Sequence, residues 1–332
     1  MGEDLFWALR GGGGASFGVI VSWKIKLVSV PPVVTVFSVW RKLEHGALSL
    51  FFKWQTLAHK LPKDLTIRTV VQSAGGRTIE VQFQSLFLGK TNELLSIMST
   101  SFPELGLEAK DCAEMGWINS IIDIGGLDGS IDILLDRSAQ TKKYFKGKSD
   151  FITQPISPTQ LESIWKVMLE DDKSPMMICE PFGGRMNEIS ESEIAFPHRG
   201  GNLYNIQYFV DWKEEEGGIS ASTKYLESSR KLYNYMTPYV SKSPRASYLN
   251  YKDLDLGVND DVSTSYLETS AWGSKYFKNN FERLMSVKSK VDPENFFWNE
   301  QSIPPLASPM ASSGKRVNRP FILTQVKSIF VE

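Results

Sequence analysis

The sequence is short of the residues that build metal centres and disulfide frameworks. It holds two cysteines, Cys112 and Cys179, and three histidines, His45, His59 and His198. None falls at a metal-ligand spacing, so no zinc site is suggested, and two thiols form at most one bridge. Surplus charge is also lacking: 37 basic residues against 38 acidic give a net charge of −1. A nucleic-acid binder ordinarily carries a basic excess or stripe, so that class is set aside. No run approaches the ~20 apolar residues of a membrane-spanning helix. The first residues have neither the basic start nor the apolar run of a signal peptide, and the chain contains no N-x-[ST] acceptor. What remains is an ordinary globular composition, 42% hydrophobic and 23% charged over 332 residues, enough for one large domain or two.

Residues 3–9 predict a short helix, with Glu3 and Asp4 at its start where the helix dipole favours carboxylates. Four glycines follow at 11–14. Over 17–27, Val19, Val21, Trp23, Ile25 and Leu27 then alternate with smaller or polar residues, the period of a strand. This order bears on two motifs. Gly14-Ala15-Ser16-Phe17-Gly18 matches G-x-S-x-G, which would make Ser16 a hydrolase nucleophile with His198 as its base. That elbow requires a strand before the serine and a helix after it. The dinucleotide fingerprint needs the same order, and no frame of the loop supplies its spacing. Four consecutive glycines cost chain entropy, so a close backbone approach must use them, either to a cofactor or to another segment.

Further along, strands are predicted over 33–40, 65–71, 79–88, 176–180 and 202–212, with a hairpin across Ala74-Gly75-Gly76. Helices are predicted over 43–61, from Asn92 to Met98, and over 220–239, and Ser157-Pro158-Thr159-Gln160 reads as a capping box opening another. The basic run at 142–148 reads as solvated surface. On the 202–212 strand, Asn205 and Gln207 share one face with Leu203 and Phe209. An amide pair there is either satisfied core polarity or a binding surface. This mixture predicts α+β architecture, an antiparallel β-sheet covered by helices.

The densest polar stretch begins at Tyr248. Tyr248, Asn250, Tyr251 and Asp253 crowd phenols, an amide and a carboxylate into six residues before a turn at 255–257, and a helical run to 292 follows. A Tyr beside a turn is ordinarily a core or rim residue. A phenol held beside a Lys and a carboxylate can also exchange a proton once its surroundings tune it.

Taken together, GEDLFWALRGGGGASFGVIVSWKIKL, FPELGLEAKDCAEMGWI, PFGGRMNEIS, FPHRGGNLYNIQY and YLNYKDLDLG through ENFFWNEQSIPPL resemble the plant berberine bridge enzyme-like FAD-linked oxidases over residues 1–306. The resemblance implies a substrate domain beside the remnant and C-terminal return of a flavin-binding domain of the vanillyl-alcohol-oxidase type. It implies the boundaries 1–28 for the close of the FAD-binding domain, 29–240 for the α+β substrate domain and 241–306 for the segment closing over the flavin. Residues 307–332 then form a disordered or loosely docked tail.

The reaction implied is oxidation of an alcohol or amine carbon, with hydride passing to the flavin and oxygen as acceptor. By match, Tyr251 takes the place of the catalytic tyrosine. Gln207 stands where relatives carry a substrate-facing Glu or Gln; an amide orients a hydroxyl but cannot act as a base. Tyr248, Asn250 and Asn295 are implied to contact FAD, together with Gly13 and Gly14. The implied substrate is a phenolic alcohol, a carbohydrate or an alkaloid, and the implied state is a monomer. Relatives are secreted or reside in the cell wall or vacuole. The resemblance also implies that the family's N-terminal half, with its pyrophosphate loops and the His and Cys that tether the flavin, lies outside this sequence. The chain then reads as truncated, and a non-catalytic fragment or interaction module of the same family is the alternative.

Overall fold

Ala74, Gly75, Gly76 and Arg77 form the turn that sets the register of the sheet. Gly75 and Gly76 both take left-handed backbone angles (φ 61° and 67°), and Arg77 N–H donates to Ala74 O at 3.3 Å. Two positive φ values in succession match the twist of the flanking strands. The computed structural model describes residues 2–137, 143–171, 173–259 and 266–306. Its strands are β1 (Val34–Lys42), β2 (Leu65–Ala74), β3 (Thr78–Phe87), β4 (Cys112–Met115), β5 (Tyr144–Ile152), β6 (Met176–Pro181) and β7 (Tyr204–Trp212). Its helices are α1 (Glu3–Gly12), α2 (Ala47–Leu57), α3 (Thr91–Ser101), α4 (Trp117–Ile124), α5 (Pro158–Met168), α6 (Arg185–Glu188), α7 (Ser222–Tyr235), α8 (Tyr266–Phe277) and α9 (Asn280–Val291). The chain packs as two units, one drawn from Met1–Val21, Ile194–Pro197 and Tyr248–Glu332, the other from Ser22–Glu193 and His198–Ser247.

The second unit is built on a seven-stranded antiparallel sheet in the order β4-β1-β3-β2-β6-β7-β5. Register puts Val39, Phe83, Thr69, Cys179 and Ile206 in one row across five strands, and all five are buried. Buried aromatic rings from α2 and α5 pack together with Tyr204 of β7: Phe51 lies 5.4 Å from Trp54 and 6.0 Å from Trp165, and Trp54 lies 5.1 Å from Tyr204. Burying polar groups here requires partners. Trp54 Nε1 donates to Ile67 O (2.7 Å). Gln55 Oε1 accepts from Tyr204 Oη (2.7 Å) and Ile156 N–H (3.0 Å). The capping box at Ser157 and Gln160 forms as its spacing predicts, and Leu161, Ile164, Trp165 and Met168 of α5 are buried.

One ion pair ties α7 and the chain after it to this sheet. Asp150 of β5 is fully buried, and Arg245 binds it through both carboxylate oxygens (2.7 and 2.6 Å). Arg245 also donates to Tyr233 O (2.7 Å) and covers the Tyr233 ring at 3.5 Å, while Tyr208 Oη donates to Asp150 (3.0 Å). A two-pronged charge-assisted pair of this kind fixes geometry as well as energy.

Several expectations are corrected. The basic run at 142–148 is not a solvated surface loop. Lys142 lies outside the described residues, 144–152 is the edge strand β5, and Lys148 is buried with its ammonium 4.5 Å from the Tyr233 ring centroid. Ring packing, which the charge pattern hides, accommodates that cation. The third helix starts at Thr91 with Lys90 as its cap rather than at Asn92. The helical run to 292 is broken at Lys278, whose positive φ of 45° separates α8 from α9 and lets Phe277 and Phe281 stack at 6.1 Å. The predicted strand at 17–27 is not a strand. No helix, turn or bend occurs over 19–31, yet no described backbone pairs with it. Alternation supplies strand propensity, but a strand exists only where a second backbone takes its hydrogen bonds. The expected tail, 307–332, lies outside the described residues.

The clamp gives a direct test. Arg245→Leu should lower unfolding free energy by about 3–5 kcal/mol, because it removes both charge-assisted bonds of a buried ion pair from the Asp150 carboxylate. Denaturant titration measures this, and a loss near zero would show that the pair is not a structural clamp.

Candidate functional site

In the first unit, the residues singled out by sequence hang from one buried lysine. Lys288 lies on α9 and is fully buried; its ammonium donates to Ser16 O (2.6 Å), Asp292 Oδ2 (2.6 Å) and Phe297 O (3.0 Å). Three acceptors satisfy its three donors. Asp292 is itself saturated, accepting from the N–H groups of Phe296 (2.8 Å) and Phe297 (2.9 Å), and Ser16 Oγ accepts from Ile303 N–H (2.9 Å). Burial pushes Lys288 below the usual lysine range, with Asp292 partly opposing it. Burial would raise Asp292, but the Lys288 ammonium and the two backbone N–H groups outweigh it and hold the carboxyl below its ordinary value. The glycine bend and the 292–303 chain are thereby joined to one helix.

The glycines divide by use. A side chain on Gly11 (φ 130°) would collide with the Phe196 backbone, and one on Gly12 would meet Leu284 Cδ2 at 2.8 Å. These two positions serve packing. Gly14 faces the Ile20 side chain at 2.7 Å, whereas Gly13 (φ 78°) has only Leu249 Cδ2 nearby, at 4.0 Å. Of the four, Gly13 is the one whose missing side chain leaves open space.

Leu249, the one residue near Gly13, belongs to the turn that carries the phenols. Tyr248 and Tyr251 meet edge to face with centroids 5.1 Å apart, and Phe196 lies edge-on to Tyr248 at 5.6 Å. Asn250 Nδ2 donates to Tyr248 Oη at 2.6 Å. Both phenols are half-buried and Asn250 is exposed, so the cluster is neither sealed in hydrocarbon nor fully solvated. Lys252 follows Tyr251, and its ammonium donates to Asn299 Oδ1 (2.9 Å). Sequence reasoning missed the brace beneath. Gln301 Nε2 donates to Asp253 O (2.8 Å) and Gly257 O (2.7 Å), and Tyr276 Oη accepts from Asp253 N–H (2.9 Å). Asn259 ties the same turn to Ser302 O (2.8 Å). Asn295 is buried in the bend after α9, with φ 53° and its N–H on Asp292 O (3.0 Å).

Gln207 belongs to the other unit. Register sets Gln207 beside Ile178 of β6 and Ser149 of β5, in a row running through Val70, Gln82 and Trp40. The neighbouring row holds Asn205, Glu180, Arg68 and Gln84; Arg68 donates to Gln84 Oε1 (2.7 Å) and lies 3.6 Å from Glu180 Oε1. Asn205 is buried, and its side-chain oxygen has no hydrogen-bond partner among the described residues. The amide pair is therefore not simply satisfied core polarity.

The hydrolase reading fails on these observations. Ser16 is buried after a helix, its Oγ already accepting from Ile303, and His198 is buried against the Phe151 ring at 4.2 Å in the other unit. Cys112 and Cys179 are both free thiols, and burial pushes Cys179 far above the usual thiol range.

Comparison with known proteins bears on the same segment. The family model "Berberine and berberine like" matches residues 247–304, the stretch that carries Tyr248, Asn250, Tyr251 and Asn295. The tetrahydroberberine oxidase of Berberis wilsoniae is 53% identical over 318 residues, which is 93% of this chain. The chain belongs to the berberine bridge enzyme-like family. Among other members, the monolignol oxidoreductase AtBBE-like 13 of Arabidopsis thaliana is 49% identical over 92% of this chain. The solved structure of BBE-like 28 from Arabidopsis thaliana superimposes with a TM-score of 0.87 at 47% identity, covering 92% of this chain and 63% of that one. The α+β fold is thus that of berberine bridge enzyme-like proteins. The chain spans 59% of the Berberis wilsoniae relative and 57% of AtBBE-like 13.

The pH dependence follows from Asp292. Its folded carboxyl titrates below the unfolded range of about 3.9, so it adds stability above about pH 4 that is lost as pH falls through the folded value. Asp292→Asn should flatten that acid limb of stability against pH. An unchanged acid limb would remove Asp292 from the stability of this unit.

Proposed function

We propose that this chain takes part in flavin-dependent oxidation of an alcohol or amine carbon, with FAD as cofactor and oxygen as acceptor. The family is FAD-dependent. The observation that carries the reading is the half-buried pair Tyr248 and Tyr251, with Asn250, inside the segment matched by the family model, on the turn whose Leu249 side chain is the one group near the open position at Gly13. A flat ring system bearing amide-like edges suits phenols, a carboxamide donor and a glycine without a side chain. Tyr248, Asn250 and Asn295 would hold it, with Gly13 and Gly14 approaching through the backbone. When bound, FAD supplies the acceptor for the substrate carbon's hydride.

In this reading Tyr251, as its phenolate, takes the substrate proton on its oxygen and becomes the neutral phenol. Gln207 orients the substrate hydroxyl or amine; its amide accepts and donates hydrogen bonds but takes no proton at neutral pH. Residues 1–28 and 241–306 serve the flavin, and 29–240 serves the substrate. Relatives are named for tetrahydroberberine and for monolignols. The substrate here is accordingly read as a small molecule of the alkaloid, phenolic alcohol or carbohydrate kind, handled by a monomer. A second reading, a non-catalytic interaction module of the same family, is favoured by the exposed apolar residues at 19–28.

The test is peroxide release from the chain supplied with FAD and each substrate class under air. Tyr251→Phe should lower turnover about 100-fold or more, as loss of a general base does, with flavin absorbance per chain unchanged. Unaltered turnover would remove Tyr251 from the mechanism, and absence of flavin absorbance in the wild-type chain would favour the non-catalytic reading.

A further inference from the structure

The helix α4 is bordered by glycine at both ends. Gly116 precedes it, and Gly125 and Gly126 follow, Gly126 with a left-handed φ of 59°. A side chain added at Gly116 or Gly126 would meet nothing within 4 Å. Trp117, Ser120, Ile121 and Ile124 recur at helical spacing on one side of α4, and Ser120 there is fully buried. None of the apolar residues of α4 is buried, and Trp117 keeps 38% exposure. A helix with so little buried apolar surface is held weakly by packing. Its C-terminal end is fastened to the sheet through Ile124 O, which accepts from Arg68 Nη2 (3.0 Å) and Gln84 Nε2 (3.4 Å).

Arg68 and Gln84 stand two residues along β2 and β3 from Val70 and Gln82, which share the row of Gln207. All five side chains therefore lie on one face of the sheet. We infer that Arg68 is a positioning residue that holds α4 as a hinged wall on this face. The inference rests on reading the Gln207 face as the place where substrate lies. β2 is two strands from β7, about 10 Å at the usual strand spacing, the length of a molecule of one or two rings. Such a molecule offers a polar group to Gln207 and an apolar body to the side of α4 that carries Trp117 and Ile121. The planar fork of Arg68 reaches Gln84, Glu180 and Ile124 on three separate elements, a spread that a lysine ammonium does not have. The Arg68 and Glu180 side chains are about one-third exposed (31% and 33%), so their pairing adds little to global stability. Loss of Arg68 then frees α4 and leaves the sheet intact. If one-tenth as many molecules keep the wall closed, apparent affinity falls about 10-fold, because only the closed form binds fully.

The experiment follows amide hydrogen exchange of the full chain, alone and with cinnamyl alcohol, whose phenyl ring and hydroxyl supply the apolar and polar parts. In Arg68→Gln, amides of 119–125 should exchange about 10-fold faster or more, with the amides of β2, β3 and β6 and the melting temperature unchanged. Glu180→Gln removes the ion pair but not the bond to Ile124, so 119–125 should keep the wild-type rate. Cinnamyl alcohol should slow 119–125 in the wild-type chain, with an apparent Kd about 10-fold weaker in Arg68→Gln. Glycerol, which has no apolar body, should not slow them. Unchanged exchange of 119–125 in Arg68→Gln, or no slowing by cinnamyl alcohol, overturns the proposal. So does an equal acceleration of the strand amides, since Arg68 would then support the whole sheet and not α4. Peroxide release from the same samples with FAD separates this inference from the oxidase reading. Protection without peroxide contradicts the oxidase reading alone, and peroxide without protection contradicts the wall alone.

Discussion

A single ammonium group, that of Lys288, holds the first unit together. A lysine withdrawn from water is costly unless every donor is satisfied and a counter-charge lies close. Lys288 meets both conditions through Ser16 O, Asp292 and Phe297 O. Those acceptors lie on stretches distant in sequence, the bend after the glycines and the chain after α9. The remaining order of the unit builds outward from there. Ser16 receives Ile303, Asp292 shapes the bend that carries Asn295, and Gln301 and Tyr276 fasten the turn on which Tyr248, Asn250 and Tyr251 are displayed. A half-buried phenol–amide cluster carried by a 3-residue helical turn and its cap would have little rigidity of its own. The buried polar brace beneath supplies it.

The second unit solves a related problem with the opposite materials. One row of its sheet, from Val39 to Ile206, is buried apolar packing. The adjacent positions on the other face form rows rich in amides and charges. Asn205, Glu180, Arg68 and Gln84 lie in neighbouring strands, and Gln207 lies two residues along β7 from Asn205. The oxygen of Asn205 is buried without a partner among the described residues, and an unmet buried acceptor costs stability.

What could be read from residues alone follows the range of the forces involved. The hairpin at 74–77 and the capped helix at 157 depend on neighbours within a few residues, and both form as their local chemistry dictates. The turn at 248–257 was legible as a dense polar stretch, and its motif as a family resemblance. The brace under that turn was not, because Gln301 and Tyr276 are ordinary residues until the fold brings them to Asp253. Lys288 was equally silent, being one lysine in VKSKVDP whose partners lie up to 272 positions away. Lys148 misled for the same reason: charge pattern predicts solvent, whereas the fold buries it with its ammonium over the ring of Tyr233. The alternation at 17–27 predicted a strand where pairing, a property of two segments, is what makes one.

The claim that Lys288 and Asp292 act as one buried unit is tested most directly by a double-mutant cycle, Lys288→Met against Asp292→Leu, read by denaturant unfolding. Each single change should cost about 3–5 kcal/mol by stranding the other charge, and the double change should cost far less than their sum, with a coupling of about 2–3 kcal/mol. Additive losses with no coupling would contradict the account, because the two groups would then stabilise the unit independently and the turn bearing Tyr251 would rest on something else.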